Sequence, residues 1–168
     1  AGENPILGRP RYGHEARVIG DTQRHLGQSA LLYEVFNRED GDAPAVDLIA
    51  ERRNDNFRRD NRDLIKACTD LSDGGLALAA FEMASGSDVG VVIDETDQAM
   101  LFGEDQGRYL VACNFDQAEG LMIAAGQAGV PITTVGRFTG DTVRIGASDA
   151  PLADLQAVHQ GAFAGHFA

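Results

Sequence analysis

Two stretches of this chain gather carboxylates, amides, glycines and an arginine at spacings that chemistry could use. The first is Asp70-Leu71-Ser72-Asp73-Gly74-Gly75-Leu76-Ala77. Ser72 or Asp73 is placed to cap a following helix, because a short oxygen-bearing side chain accepts from amides that the first helical turn leaves unpaired. Gly74 and Gly75 leave the backbone uncovered, so a ligand can approach those amides closely. The partial positive charge of a helix N-terminus then offers one kind of chemistry, the binding of an anion such as phosphate. A turn that only caps its helix is the competing reading. The second stretch is Glu104-Asp105-Gln106-Gly107-Arg108, just ahead of the apolar run Tyr109-Leu110-Val111-Ala112-Cys113. Glu104 and Gln106 could hydrogen-bond ribose hydroxyls or a ligand amine, and Arg108 could pair with a phosphate or with Glu104. The competing reading here is an internal salt bridge that fixes the loop.

Hydrophobic spacing indicates the elements that must position these residues. Leu64, Ile65, Ala67 and Cys68 form an apolar run that stops at Asp70, as a strand would, and Leu76, Ala79, Ala80 and Met83 then recur at helical spacing. Upstream, residues 1–14 read as an irregular leader, and a start without Met leads us to expect a segment of something longer. Ala16 to Ile19 is an expected strand, ending at Gly20-Asp21-Thr22. Ser29 is expected to cap a helix through Phe36, residues 37–46 form a loop, and Asp47 caps the next helix. That helix carries Arg52, Arg53, Arg58, Arg59 and, beyond it, Arg62, the one basic zone of the chain. With Glu51, Asp55 and Asp60 as neighbours it reads as a solvated face rather than a set of phosphate ligands.

Downstream, Val89 to Ile93 is β-branched and strand-like, Asp97 to Leu101 a helical turn, and Tyr109 to Cys113 a strand. Asp116 is expected to cap a helix ending at Gly126 or Gly129. Ile132–Phe138 and Thr142–Ile145 read as a hairpin about Gly140-Asp141. A helix over residues 151–163 and a loose His166-Phe167-Ala168 end complete the chain. From residue 65 onward the order is strand, helix, strand, strand, helix, strand, a ferredoxin-like βαββαβ core. With the earlier elements this predicts one α/β (α+β) domain over residues 15–168, helices packed against a mixed sheet.

Composition narrows the classes further. A chain of 168 residues, 43% of them apolar, can bury one ordinary core. No apolar run approaches the ~20 residues needed to span a bilayer, and no signal-peptide pattern opens the chain, so no membrane role is expected. A formal charge of −12 argues against a nucleic-acid surface. It leaves room for a nucleotide held through backbone amides and magnesium. Cys68 and Cys113 fall singly in expected strands and read as buried cytosolic thiols. His14, His25, His159 and His166 show no metal-ligand spacing. No phosphate-loop, dinucleotide, Ser–His–Asp or zinc signature appears, so no catalytic or metal-ligating residue is assigned.

Asp70 to Ala77, closed by Phe81-Glu82-Met83-Ala84, resembles the C-terminal segment of formylglycinamidine ribonucleotide synthetases, within the aminoimidazole ribonucleotide synthetase superfamily. Leu26-Gly27-Gln28-Ser29, Pro44-Ala45-Val46-Asp47-Leu48 and the Glu104, Gln106, Arg108 stretch are similar to further elements of that family, so the likeness covers about residues 15–146. Thr69 departs from it, since many relatives have His before the Asp. The resemblance implies an aminoimidazole ribonucleotide synthetase-type C-terminal domain of a cytoplasmic enzyme of purine synthesis. That enzyme uses ATP to activate an amide oxygen, which ammonia from glutamine then displaces. It implies ATP/ADP with Mg2+ as cofactors of the longer enzyme. It also implies the enzyme's own N-terminal domains, a glutaminase subunit and a small bridging subunit as partners. Asp70, Ser72, Asp73, Gly74, Gly75, Glu104, Gln106 and Arg108 would then lie at an auxiliary nucleotide or phosphate site. The family's catalytic half is not matched, so the domain alone is expected to be inactive. Cut from its N-terminal partner, it is expected to form a homodimer through an apolar surface at Leu71, Leu76, Leu101 and Phe102. The alternatives are another member of the superfamily, such as aminoimidazole ribonucleotide synthetase, selenophosphate synthetase or thiamine-phosphate kinase, or a structural module that binds nothing.

Overall fold

Tyr109 to Cys113 is apolar almost from end to end, which suits a strand covered on both faces rather than on one. The architecture follows from that. The computed structural model describes residues 7–20, 26–39 and 41–166. Its elements in chain order are β1 (Leu7–Gly8), β2 (Glu15–Ile19), a π-helical turn (Leu31–Val35), α1 (Leu48–Asp60), β3 (Ala67–Asp70), α2 (Gly75–Ser85), β4 (Val91–Ile93), α3 (Gln98–Phe102), β5 (Tyr109–Cys113), α4 (Phe115–Ala128), β6 (Ile132–Phe138), β7 (Thr142–Ile145), β8 (Ser148–Pro151) and α5 (Leu152–His166). All the strands join one sheet in the order β1-β3-β5-β2-β6-β4-β7-β8. Neighbours are antiparallel except β4 and β7, which run parallel.

The sheet is mixed and the expected β3-α2-β4-β5-α4-β6 order is present, with α3 as a short addition. The strands of that core are not contiguous, however. β2 lies between β5 and β6, so α4 carries the chain across it.

Side chains alternate across these central strands, so each strand feeds two cores. Ala16, Val18, Ala67, Leu110 and Ala112 pack with Leu76, Ala80 and Met83 of α2 on one face. Ile19, Cys68, Val111 and Cys113 pack with Phe57 of α1 and Leu121 of α4 on the other. Both cysteines are free and buried, as expected.

Asp47 caps α1 as its position suggests, accepting from the N–H groups of Ile49 and Ala50 at 3.0 Å each. Asp97 does the same for α3, accepting from Ala99 at 2.9 Å. Asp116 does not cap α4. It lies in the first turn, Asn114 is the N-cap, and no side chain bonds there. The helix ends at Gly129, whose left-handed backbone closes it.

The hairpin expected about Gly140-Asp141 is also corrected. β6 and β7 both pair with β4, which runs between them. The tight turn is real, but its carbonyl at Gly140 accepts from Gly90, at the mouth of β4. β7 instead forms a hairpin with β8. Within the stretch read as an irregular leader, Leu7 and Gly8 pair with Cys68 and Ala67 at the sheet edge. The rest of that reading up to residue 6, the Asp21-Thr22 strand end, His25 and the Phe167-Ala168 end lie outside the described residues.

Candidate functional site

Asp70 stands opposite Tyr109 in the β3–β5 ladder, and the Leu71 N–H donates to the Arg108 carbonyl at 3.0 Å. The two motif stretches therefore meet at one end of the sheet. Glu104 ties them together and adds a third segment. Its Oε1 accepts from the Gly74 N–H at 2.9 Å and from the Ala30 N–H at 2.8 Å, at the head of the π-helical turn. Ser29 is buried and accepts at Oγ from the Leu32 N–H at 3.4 Å, but the N-cap is Ala30, and the helix expected through Phe36 is the short π-helical turn Leu31–Val35.

Neither Ser72 nor Asp73 caps α2. The N-cap is Gly74, at φ +76°, with no cap bond from its own side of the chain. That left-handed turn aims the Gly74 amide at the loop ahead of β5, so Glu104 takes the part expected of Asp73. The Gly75 amide donates to the Ser72 carbonyl at 2.8 Å. Both amides that seemed open to a phosphate are thus engaged inside the chain. Gly75 is a glycine for a steric reason: a Cβ there would lie 2.8 Å from the Leu101 carbonyl oxygen and 2.9 Å from that of Gly103.

Arg108 is likewise an internal residue. It is 1% exposed, donating from Nη1 to the Gly103 carbonyl at 3.1 Å and from Nη2 to the Met100 carbonyl at 3.0 Å. Its guanidinium lies 3.6 Å from the Asp105 carboxylate, which is also 1% exposed. The salt bridge that fixes this loop is the reading the geometry supports, with Asp105 as partner in place of Glu104. So enclosed, Arg108 is not placed to meet a phosphate from solvent. Ser72, Asp73 and Gln106 face solvent, and Asp70 is half-buried at the end of β3.

Sequence reasoning missed Asn54. It is buried on α1, and its Nδ2 donates to the Gly107 carbonyl at 2.9 Å, holding the same loop from the opposite face. The available signal was an amide three residues before Phe57, on the inward side of a helix otherwise rich in charge. Nearby, the Arg58 guanidinium sits 5.0 Å above the Tyr109 ring, a cation–π contact. Arg58 and Arg59 both pair with Asp55. Burial works against the Asp55 charge, but hydrogen bonds from the two arginines outweigh it and hold its pKa below the usual range. Burial pushes the Tyr109 hydroxyl up, and the Cys68 thiol up to about 11 despite Arg58 beside it. Neither is a poised nucleophile or base.

Beside Gly74 an apolar groove of about 390 Å³ opens between the π-helical turn, α2 and β7, with Leu31, Leu78, Phe81, Phe102, Ile145 and Leu155 along it. This corrects the surface expected at Leu71, Leu76 and Leu101, all three of which are core residues. Only Phe102 of that set reaches the groove. Among the described residues, no three His, Cys, Asp or Glu side chains converge as a metal site would require.

A single mixed sheet with helices on both faces, its motif loops gathered at one end, defines the class. The chain belongs to the AIR synthase related protein, C-terminal domain, family, whose model matches residues 13–146. It is 68% identical over 164 residues to the phosphoribosylformylglycinamidine synthase subunit PurL of Ruegeria sp. (strain TM1040), a match that takes in 98% of this chain and 23% of that subunit. To the subunit of the same name from Brucella ovis (strain ATCC 25840 / 63/290 / NCTC 10512) it is 40% identical over 163 residues, or 94% of this chain and 22% of that one. The chain thus spans less than a quarter of the length of these curated relatives. Among solved structures, T. maritima PurL complexed with FGAR superposes with a TM-score of 0.72 and 18% identity, over 88% of this chain and 28% of that one. Thiamine-monophosphate kinase from Stenotrophomonas maltophilia K279a gives 0.58 and 20%, over 86% and 53%. At those identities the likeness is one of fold.

Proposed function

We propose that this chain is the C-terminal domain of a cytoplasmic phosphoribosylformylglycinamidine synthase and serves that enzyme as a folded partner of its N-terminal domains. The observation that carries this reading is the 68% identity to the Ruegeria subunit over nearly the whole chain. A domain from another branch of the superfamily is disfavoured by the same figure, since the kinase likeness rests on 20% identity. The reaction assigned to the longer enzyme is ATP-dependent replacement of an amide oxygen by ammonia, with a glutaminase subunit and a small bridging subunit as further partners. Solved T. maritima PurL complexes with ATP and ADP favour a nucleotide in that enzyme.

Within it, this domain contributes shape more than charge. Glu104 and Arg108 are spent on holding the motif loops, and the groove beside Gly74 is the apolar surface that pairing with an N-terminal domain would cover. The exposed Ser72, Asp73 and Gln106, with Asp70, form the rim that would face an auxiliary nucleotide. The Mg2+ that accompanies the nucleotide would take its carboxylates from the N-terminal domains. The test is a chimera in which this chain replaces the matching segment of the Ruegeria subunit, assayed for conversion of FGAR with ATP and ammonia. The chimera should turn over and the 168-residue chain alone should not. A folded but inactive chimera, or turnover by the chain alone, overturns the reading.

A further inference from the structure

Gln106 is the single exposed residue from Leu101 to Leu110, and the residues around it are all fixed. Two positions before it, Glu104 accepts from the Gly74 and Ala30 amides. On its two flanks the buried Asp105 and Arg108 face each other, and Arg108 donates to the Met100 and Gly103 carbonyls. One position after it, the Gly107 carbonyl accepts from Asn54 Nδ2 at 2.9 Å. Glu104 ties the loop toward α2, whereas Asn54 holds it from the opposite face, on α1.

The junction at Gly107 is closely packed. A Cβ on Gly107 would lie 3.0 Å from Cγ of Glu51 and 3.1 Å from its Cα, so the loop rests directly on α1. A Cβ on Gly20 would lie 2.5 Å from the Gly107 carbonyl oxygen and 2.8 Å from Asn54 Nδ2, so the end of β2 closes over the same bond. Asn54 itself is 1% exposed. While its Nδ2 donates to Gly107, its Oδ1 is buried and has no hydrogen-bond partner among the described residues. A buried acceptor without a donor destabilises a fold, and an apolar side chain of similar size would avoid that loss. An amide kept in such a place answers a demand other than stability.

Given the nucleotide rim proposed above, on which this rests, we propose that Asn54 is a positioning residue of that site, holding the loop so that the Gln106 side chain meets the nucleotide. The Gln106 amide both donates and accepts, as the edge of a nucleoside does. With residues 104 and 107 anchored from opposite faces, the turn between them is set before any ligand arrives. Without the bond from Asn54, Gly107 keeps only its packing, and the turn has to be ordered at the moment of binding, which weakens the complex.

The test is equilibrium dialysis of Mg2+-ADP against the Ruegeria subunit carrying this chain in place of its matching segment. The variants are Gln106→Ala, Asn54→Leu and the two combined. The unmodified chimera should take up nucleotide at two classes of site, the reacting one and the rim. Gln106→Ala should weaken the rim class by about two- to tenfold, the value of one hydrogen bond. Asn54→Leu should weaken it over the same range and leave the other class as it is. Leu keeps most of the volume of Asn54 and removes the buried Oδ1, so the far-ultraviolet circular dichroism should stay unaltered. Asn54→Ala, which cannot crowd the junction, should behave as Asn54→Leu does. The combined variant should bind no more weakly than Gln106→Ala alone, because Asn54 acts through Gln106. Losses that add in the combined variant, or an undiminished affinity in both Asn54 variants, would overturn the positioning role and leave the rim standing. An unmodified chimera with a single class of site would overturn the rim itself and the positioning role with it.

Discussion

Glu104 is the residue on which the candidate site turns, because its one carboxylate oxygen accepts from amides 30 and 74 residues away in sequence. Hydrogen bonds to a charged acceptor are each worth about 1.5–3 kcal/mol, and leaving both amides without a partner adds their desolvation. Glu104 is only half-buried, so water replaces part of what is lost, and Glu104→Ala should cost about 2–4 kcal/mol in urea denaturation, while Glu104→Gln, which keeps a carbonyl acceptor, should recover much of that. Asp73→Ala should fall within about 0.5 kcal/mol of the unmodified chain, as an exposed side chain with no cap bond does. Equal losses at both positions would mean that Asp73 holds the turn after all. Glu104 and Arg108 stood out in the sequence but their partners did not, and Asn54 and Asp105 were not singled out at all. A Glu before a strand signals a polar role, but nothing local in sequence says that its acceptor serves Ala30 and Gly74. A buried Arg108–Asp105 pair looks, in sequence, like any charged loop.

Cys68 gives a second prediction at the same scale. Burial raises its pKa in the folded chain from 9.0 to about 11. A group with a raised folded pKa contributes its stability below the unfolded pKa and loses it as pH climbs toward the folded one. Between pH 9 and 11 the unfolded thiol releases its proton while the folded one keeps it, so stability should fall. A displacement of that size corresponds to about 2–3 kcal/mol, an upper bound for this residue. Tyr109 and Cys113 are raised in the same direction by burial and steepen the same limb. Denaturation midpoints from pH 8 to 10.5 should decline, and Cys68→Ala should flatten the decline even though it lowers stability overall. An unchanged slope in that variant would show the thiol to be solvated.

At the scale of elements, local signals carried far. β5 was bounded to the residue by its apolar run, and Asp47 was legible as a cap because its side chain acts within three residues. The failure at β6 and β7 is of another kind. The Gly140-Asp141 turn has the chemistry of a hairpin, but pairing depends on which strand arrives between its arms, and β4 comes from far upstream. The backbones are close enough there to be tested. A Cβ on Gly136 would lie 1.8 Å from the Val92 carbonyl oxygen, in backbone that cannot yield as a flexible side chain would. Gly136→Ala should force β4 away from β6 and cost about 3 kcal/mol, at the upper end of overpacking effects. Hydrogen exchange should show the loss concentrated at Val91 to Ile93 and at the β7 residues paired with them. Protection left intact along β4 would mean that the two strands slide past one another at little cost.

The whole molecule is organised by a sheet that belongs to two cores at once. Val18 and Ile19 are adjacent in β2, yet one packs with Leu76 of α2 and the other with Leu121 of α4. The same split divides Leu110 from Val111 in β5 and Ala67 from Cys68 in β3. A strand cannot leave one core and stay in the other, so the two clusters should unfold together. Leu76 and Leu121 are both fully buried, and truncating either to Ala should cost about 2–5 kcal/mol. The informative result is the form of the transition rather than its size. In each variant, urea unfolding followed by far-ultraviolet circular dichroism and by tyrosine fluorescence should give one coincident curve, with a lower midpoint and an unchanged m-value. Tyr109 reports from the central strand beneath Arg58, so it senses the α1–α4 side directly. If Leu121→Ala moved the fluorescence transition ahead of the dichroism transition, the α1–α4 layer would be a separate cooperative unit. The sheet would then survive its departure, and the two-core account of the fold would fail.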